Sequence, residues 1–286
     1  MGSMGQAMTK NLVKNGNLTR PIILWNRTES KARSHSINIG HSTVASSIQD
    51  AVTKSDIIWS CFSGQKAVLE CFDVVLKSNI DLEGKLFLEC STITPEATNE
   101  LAERLIDAGA EFVAMPVFGE PSMANATILT CLPAGTVSSV YRILPYLNGV
   151  IGKSVINLSD TPSGTASHLK LIGNVIIVQM IESVSEAHVL AEKSHLKAEY
   201  LYQVIESVFP GLFAIYSKRI MGGGYYKEEG VAECVLNLAE KTGTKLKSYE
   251  VGKDYLDMVE WAIGEKGDIA GISGAVRLES GLGFEN

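Results

Sequence analysis

The chain has 286 residues, of which 45% are hydrophobic and 20% charged, and its formal net charge is −7. This suits a globular protein of two domains or one large one, and the acidic balance excludes nucleic acid and anionic membranes as partners, which need a basic face. No apolar run reaches the roughly 18 residues of a membrane span, and residues 1–12 lack the charged lead and apolar core of a signal peptide, so a cytoplasmic location is expected.

In chain order, Met1-Gly2-Ser3-Met4-Gly5-Gln6-Ala7-Met8 reads as the second half of a G-x-G-x-x-G fingerprint, with Gly2 and Gly5 as its last two glycines. In that fingerprint the second glycine lets backbone approach a pyrophosphate, the third permits close helix–strand packing, and the helix N-terminus offers free N–H groups. The first glycine and the strand before it are missing from the expected pattern, and a mis-assigned start is the simplest origin for such a truncation. Taken alone, Met-Gly-Ser is equally the scar of an expression tag.

Gln6–Asn15 is helical in composition and ends at Gly16, and residues 21–25 form a short apolar run bounded by Asn26-Arg27-Thr28, which predicts a buried strand. Similar runs follow at 56–62, 85–89, 110–114 and 126–132, with helical stretches at 67–77 and 95–108 between them. Strands interleaved with helices imply βαβ units and a mostly parallel sheet. Beyond about residue 155 the texture changes. Thr161-Pro162-Ser163-Gly164 is a turn-rich junction, 166–193 a long helical pattern, and further helices are predicted at 198–208, 211–221, 230–246 and 251–264, with a loop at Gly222-Gly223-Gly224. The expected fold is α/β, with a doubly wound domain over 1–157 that lacks its first strand. An all-helical domain over 158–286 follows, joined by the long helix. The five cysteines, Cys61, Cys71, Cys90, Cys131 and Cys234, are odd in number and have no C-x-x-C spacing. That is the usage of reduced thiols, and no metal site is expected.

Two further segments carry chemistry. At Asn26-Arg27-Thr28 a protein binding NAD usually has Asp or Glu for the ribose hydroxyl, whereas Arg accommodates the 2′-phosphate of NADP. The neutral position followed by Arg27, with Thr28 and Lys31 near it, favours NADP over NAD. A solvated strand-end loop has the same composition. In the second segment, Gly164 to Asn174, Lys170 and Asn174 are four apart and share a helix face. Carbonyl reduction leaves a developing alkoxide that needs a proton and nearby positive charge, which a lysine supplies. From these residues alone, a solvated lysine on an amphipathic helix is the commoner reading.

At this point the chain resembles the β-hydroxyacid dehydrogenase family, which includes 3-hydroxyisobutyrate dehydrogenase and relatives of 6-phosphogluconate dehydrogenase. Met1 to Leu12 is similar to the G-L-G-x-M-G-x-x-M-[SA]-x-N-L signature entered at its second residue, and Asn26-Arg27-Thr28 to the N-R-T of NADP-using members. Cys90-Ser91-Thr92-Ile93-Thr94-Pro95 resembles the D-S-T-x-x-P segment by the nicotinamide. Ala114 to Glu120 stands where the substrate loop D-A-P-V-S-G-G is expected, and Gly164 to Asn174 resembles the catalytic G-x-x-x-K-x-x-N-N. The tail Gly267-Asp268…Arg277…Gly281-Leu282-Gly283-Phe284 is similar to that of a fungal-type branch.

The resemblance implies an NADP(H)-dependent dehydrogenase or reductase acting on CH–OH groups, working as a homodimer or homotetramer on a small carbonyl or hydroxy substrate. Gly2, Ser3, Met4 and Gly5 would hold the pyrophosphate, Asn26, Arg27 and Thr28 the 2′-phosphate, and Ser91 and Thr92 would flank the nicotinamide. Phe118, Gly119, Ser122 and Lys241 would face the substrate. Lys170 would be the general acid/base, with Asn174 positioning it.

The departures from the family pattern matter as well. Phe118 and Glu120 replace a serine and a glycine, which narrows the pocket and repels an anion, while Ser122 restores one donor. Gly173 replaces the first asparagine of the N-N pair, and Lys241-Thr242 replaces Lys-Asp. They leave two alternatives to the dehydrogenase reading: a non-catalytic cofactor-binding or scaffold descendant, and a reductase of imines or other carbonyls, which Lys170 disfavours. His168 faces away from Lys170 by helical phase and reads as a packed or surface histidine. Glu182 and Glu186 read as a solvated helix face, and Tyr225 and Tyr226 either line the pocket or cover a domain edge.

Overall fold

The computed structural model describes residues 2–223, 241, 247–263 and 269–285. The expected helix at 230–246 lies almost wholly outside them, as do Gly224, Tyr225, Tyr226, Cys234, Thr242, Gly267 and Asp268. The chain divides into two compact units, residues 1–170 and 171–286. The division falls within the long helix, later than the turn-rich junction at 161–164.

The first unit alternates strands and helices. In order these are α1 (Ser3–Asn15), β1 (Ile22–Leu24), α2 (Glu29–Ile39), β2 (Ser42–Val44), α3 (Ile48–Thr53), β3 (Ile57–Ser60), α4 (Gln65–Leu76), β4 (Leu86–Glu89), α5 (Pro95–Asp107) and β5 (Glu111–Ala114). There follow β6 (Val117–Phe118), α6 (Pro121–Asn125), β7 (Leu129–Cys131), β8 (Ala134–Gly135), α7 (Val137–Ile143), β9 (Gly152–Val155) and β10 (Leu158–Ser159). Strands β3, β4 and β5 pair in parallel, β8 adds antiparallel to β5, and β10 completes a five-stranded sheet; β1 and β2 form a separate parallel pair. In the doubly wound order 3-2-1-4-5-6, β2 and β1 take the third and second places and β3 to β5 the fourth to sixth.

Strand β4 is the hydrophobic centre. Its side chains alternate across the sheet: Leu86 and Leu88 pack with Ala7, Met8 and Leu12 of α1, and with Val140 and Ile143 of α7. Phe87 packs with Val68 and Phe72 of α4 and with Leu101 and Leu105 of α5. Helices on both faces of a parallel sheet explain the unbroken apolar runs of its strands.

Helix α8 (Gly164–Lys193) begins in this unit, docked on the start of α5. A Cβ on Gly164 would meet the Pro95 carbonyl oxygen at 2.7 Å and the Asn99 side chain at 2.8 Å. The Gly164 N–H instead donates to Asn99 Oδ1 at 2.7 Å. One turn on, the Ser167 and Thr98 hydroxyls share a buried hydrogen bond of 2.7 Å. Lys170 follows Ser167 by three residues on α8, so the two are neighbours on its surface.

The second unit is all-helical among its described residues. It comprises the rest of α8, α9 (Ala198–Val208), α10 (Leu212–Met221), α11 (Lys247–Ile263) and α12 (Ile272–Glu279). Its core joins Leu171, Val178, Ile181 and Val184 of α8 to Ile205, Tyr216, Ile220, Val259, Ile272 and Ala275. His188 bonds Ser217 at 2.8 Å, and Arg277 pairs with Glu192. Glu182, expected on a solvated face, is buried, because residue 252 is a glycine that lets α11 close over it and Val178. Desolvation raises its pKa, and Glu186 adds to the rise. His168, in the first unit, is exposed.

The docking of α8 is tested by Gly164→Ala. Its methyl collides with backbone and is expected to cost about 1–3 kcal/mol, read as a lower denaturant midpoint. An unchanged midpoint would contradict the packing described.

Candidate active site

The site is built at the carboxyl ends of the parallel strands, where open α/β sheets bind ligands. Gly2 caps α1 in extended conformation and is exposed, and there is no acidic residue in the first turn. The Gln6 N–H, bonded to Gly2 O at 3.0 Å, makes the first helical bond. The N–H groups of Ser3, Met4 and Gly5 precede it and have no intrahelical partner, as at any helix start. The turn therefore fits an anionic pyrophosphate. Asn11, buried farther along α1, donates from Nδ2 to Ala124 O at 2.6 Å and ties this helix to α6, which follows the 117–120 loop.

At the end of β1, Asn26 Nδ2 donates to Thr28 O at 2.9 Å, and Arg27 and Thr28 are exposed. There is no carboxylate between Trp25 and Thr28, and Glu29 pairs with Arg33. This loop offers positive charge and a hydroxyl.

At the end of β4, the Ser91 hydroxyl oxygen accepts from the Phe62 N–H at 2.7 Å, and Thr92 is half-buried beside it. Sequence reasoning missed Glu89. Its carboxylate is 2% exposed and accepts from the Ser60 hydroxyl and from the Ser91 N–H, the latter at 2.6 Å. Desolvation pushes it up to about 7, and these hydrogen bonds oppose the rise without cancelling it. The available signal was an acidic residue closing the apolar run Leu86-Phe87-Leu88. Around it lie the free thiols of Cys61 and Cys90; Cys90 Sγ accepts from Trp59 Nε1 at 2.9 Å, and burial pushes Cys61 up to about 12.

Lys170 is 9% exposed. Its Nζ lies 4.2 Å from the centre of the Phe118 ring, and among the described residues no hydrogen-bonding partner accompanies it. Burial pulls its pKa down to about 8. The ring face favours the charged form and so opposes the desolvation that lowers the pKa. Phe118 is held by β6, paired with Thr130 of β7. Gly119 follows at φ +136, and a side chain there would strike Leu129. The exposed Ser122 donates its hydroxyl hydrogen to Glu120.

The first unit thus contains Gly2 to Gly5, Asn26 to Thr28, Ser91, Thr92, Phe118, Gly119, Ser122 and Lys170, of which Phe118 and Lys170 are in direct contact. Asn174 is half-buried one turn after Lys170 on α8 and belongs to the second unit, as does the exposed Lys241.

Comparison with known proteins identifies the fold and the family. Residues 1–159 match the model of the NAD binding domain of 6-phosphogluconate dehydrogenase. The chain is 40% identical over 291 residues, 98% of each chain, to the NADH-dependent oxidoreductase ucdB of Aspergillus ustus. The fold is similar to that of 3-hydroxyisobutyrate dehydrogenase (ygbJ) from Salmonella typhimurium, with a TM-score of 0.81 and 20% identity over 95% of this chain and 96% of that one. It is also similar to Psf3 in complex with NADP+ and 2-OPP, with a TM-score of 0.85 and 21% identity over 96% and 97%. A doubly wound domain with this fingerprint, a buried lysine at the head of a long helix and a relative matched along almost its whole length place the chain in the β-hydroxyacid dehydrogenase family of pyridine-nucleotide-dependent oxidoreductases.

Proposed function

We propose that the protein is an NADP(H)-dependent dehydrogenase or reductase that interconverts a β-hydroxyacid-like alcohol and its aldehyde or ketone, with Lys170 as general acid/base. The observation that carries this reading is the buried Lys170 amine, drawn down to about 8, at the head of α8. When bound, the nicotinamide cofactor supplies or takes up the hydride. The Lys170 ammonium donates a proton to the oxygen that becomes the alcohol, and in the reverse direction the free amine withdraws it. A pKa near the working pH lets one group serve both directions. Asn174, one turn on, orients Lys170 or the substrate oxygen. Ser91 and Thr92 border the nicotinamide, with Glu89 holding the Ser91 backbone. Phe118, Gly119 and Ser122 form the substrate wall. Lys241 is included on the family resemblance alone.

NADP over NAD rests on the charge of the β1 loop, where Arg27 is exposed, residues 25–28 carry no carboxylate and Glu29 pairs with Arg33. The Aspergillus relative is named as NADH-dependent, and Psf3 is described with NADP+, so direct competition of the two cofactors is the decisive measurement.

Three outcomes test the reading. Lys170→Ala is expected to lower kcat/KM by about 10²–10⁴-fold while NADPH still binds; turnover within a few-fold of wild type removes Lys170 from its role. No saturable NADPH signal up to millimolar cofactor would instead favour a non-catalytic descendant.

The pH dependence has a definite sign. Because the folded pKa of Lys170 is lowered from 10.5 to about 8, its proton is lost through pH 8. The reduction rate is expected to fall above that pH and the oxidation rate to rise through it, and Lys170→Ala abolishes both inflections.

Arg27→Ala is expected to raise the KM for NADPH by about tenfold or more and to leave that for NADH nearly unchanged. A wild-type preference for NADH would overturn the NADP assignment.

A further inference from the structure

We propose that Phe118 makes the site select carbonyl compounds that present a neutral group, and not a free carboxylate, beside the reacting carbon. This rests on the proposed role of Lys170 and narrows the β-hydroxyacid-like alcohols of that reading to those whose acid group is masked as a neutral derivative. The Phe118 ring lies against the Lys170 ammonium, with Nζ 4.2 Å from its centre. The electron-rich ring face that attracts a cation repels an anion for the same electrostatic reason. An incoming carboxylate therefore loses hydration against the ring on its way to the only charge that would attract it in this contact.

The loop supplies no compensating side-chain donor. Phe118 has none, Gly119 has no side chain, and the Ser122 hydroxyl hydrogen is directed to Glu120. Glu120 itself adds a negative charge to the same loop, so a second carboxylate meets like charge. The backbone that carries the ring is fixed, since β6 pairs Phe118 with Thr130 and Gly119 at φ +136 lies against Leu129, and the ring itself packs on the core of the unit. An ester, amide, lactone or aryl neighbour needs no counter-charge and gains apolar contact with the ring.

The test pairs a free acid with its neutral counterpart. Reduction of methyl 4-oxobutanoate and of succinic semialdehyde is measured with NADPH and NADH on wild type and Phe118→Ser. In parallel, isobutyramide and isobutyrate are titrated calorimetrically into the enzyme–cofactor complex as unreactive mimics. In wild type the ester is expected to exceed the acid in kcat/KM by about tenfold or more, and the amide to bind more tightly than the acid. In Phe118→Ser both gaps close or reverse. Phe118→Thr, nearer in volume, replaces the serine variant if that one does not fold.

The proposal is overturned if wild type handles the free acid as well as the ester, or if a folded variant leaves both ratios unmoved. If neither aldehyde is reduced while the mimics still bind, the hydride-transfer reading fails and the mimic pair alone decides the proposal. If neither mimic binds, both fail.

Discussion

The docking of α8 on the start of α5 is the constraint on which the rest of the site depends. Gly164 is pressed against the Pro95 carbonyl, its N–H is taken by Asn99, and Ser167 bonds Thr98 one turn later. One turn beyond Ser167, Lys170 is 9% exposed and its amine lies against the Phe118 ring. The cost is visible in its acidity. A fall from 10.5 to about 8 corresponds to about 3 kcal/mol against the charged form. Below pH 8 the fold therefore carries a destabilising group, and a proton that costs free energy to hold is one that is readily given up.

Glu89 presents the same physics with the opposite sign. Its carboxyl is raised from 4.5 to about 7 by burial. Its favourable contribution to stability is complete below the unfolded value and is lost as pH rises towards 7. What it holds is the Ser91 backbone and the Ser60 hydroxyl, at the strand ends where β3 and β4 open towards the site. Lys170 and Glu89 are two buried ionisable groups of opposite type, each perturbed mainly by desolvation.

Much of this was legible in the residues. The runs at 56–62, 85–89 and 110–114 contain β3, β4 and β5 because strands covered on both faces show no polar alternation. The Thr161–Gly164 junction and the pattern after it gave the long helix, found at Gly164–Lys193. Helix α2 was illegible: Glu29–Ile39 is almost wholly polar and buries only Ala32 and His35, so it has no apolar period to read. The strand β2 that follows it is three residues long and only partly buried. Glu182 was misread because spacing on a helix says which residues share a face, not what lies against it. A glycine at position 252 brings another helix over that face.

By itself the sequence determined the family, most of the alternation of strands and helices, and which residues are candidates for the chemistry. Those are local properties: glycine spacing, an uncharged strand end with Arg27, a lysine and an asparagine one turn apart. Only the tertiary structure decided their state. From its own neighbours along the chain Lys170 reads as a solvated surface lysine; the family resemblance assigns it a role, and the structure finds it buried against the Phe118 ring. Ser122 counted as a free donor until its hydrogen was found on Glu120. Hydration and hydrogen-bond partners are set by atoms distant along the chain, and those partners move a side chain's pKa and direct its charge.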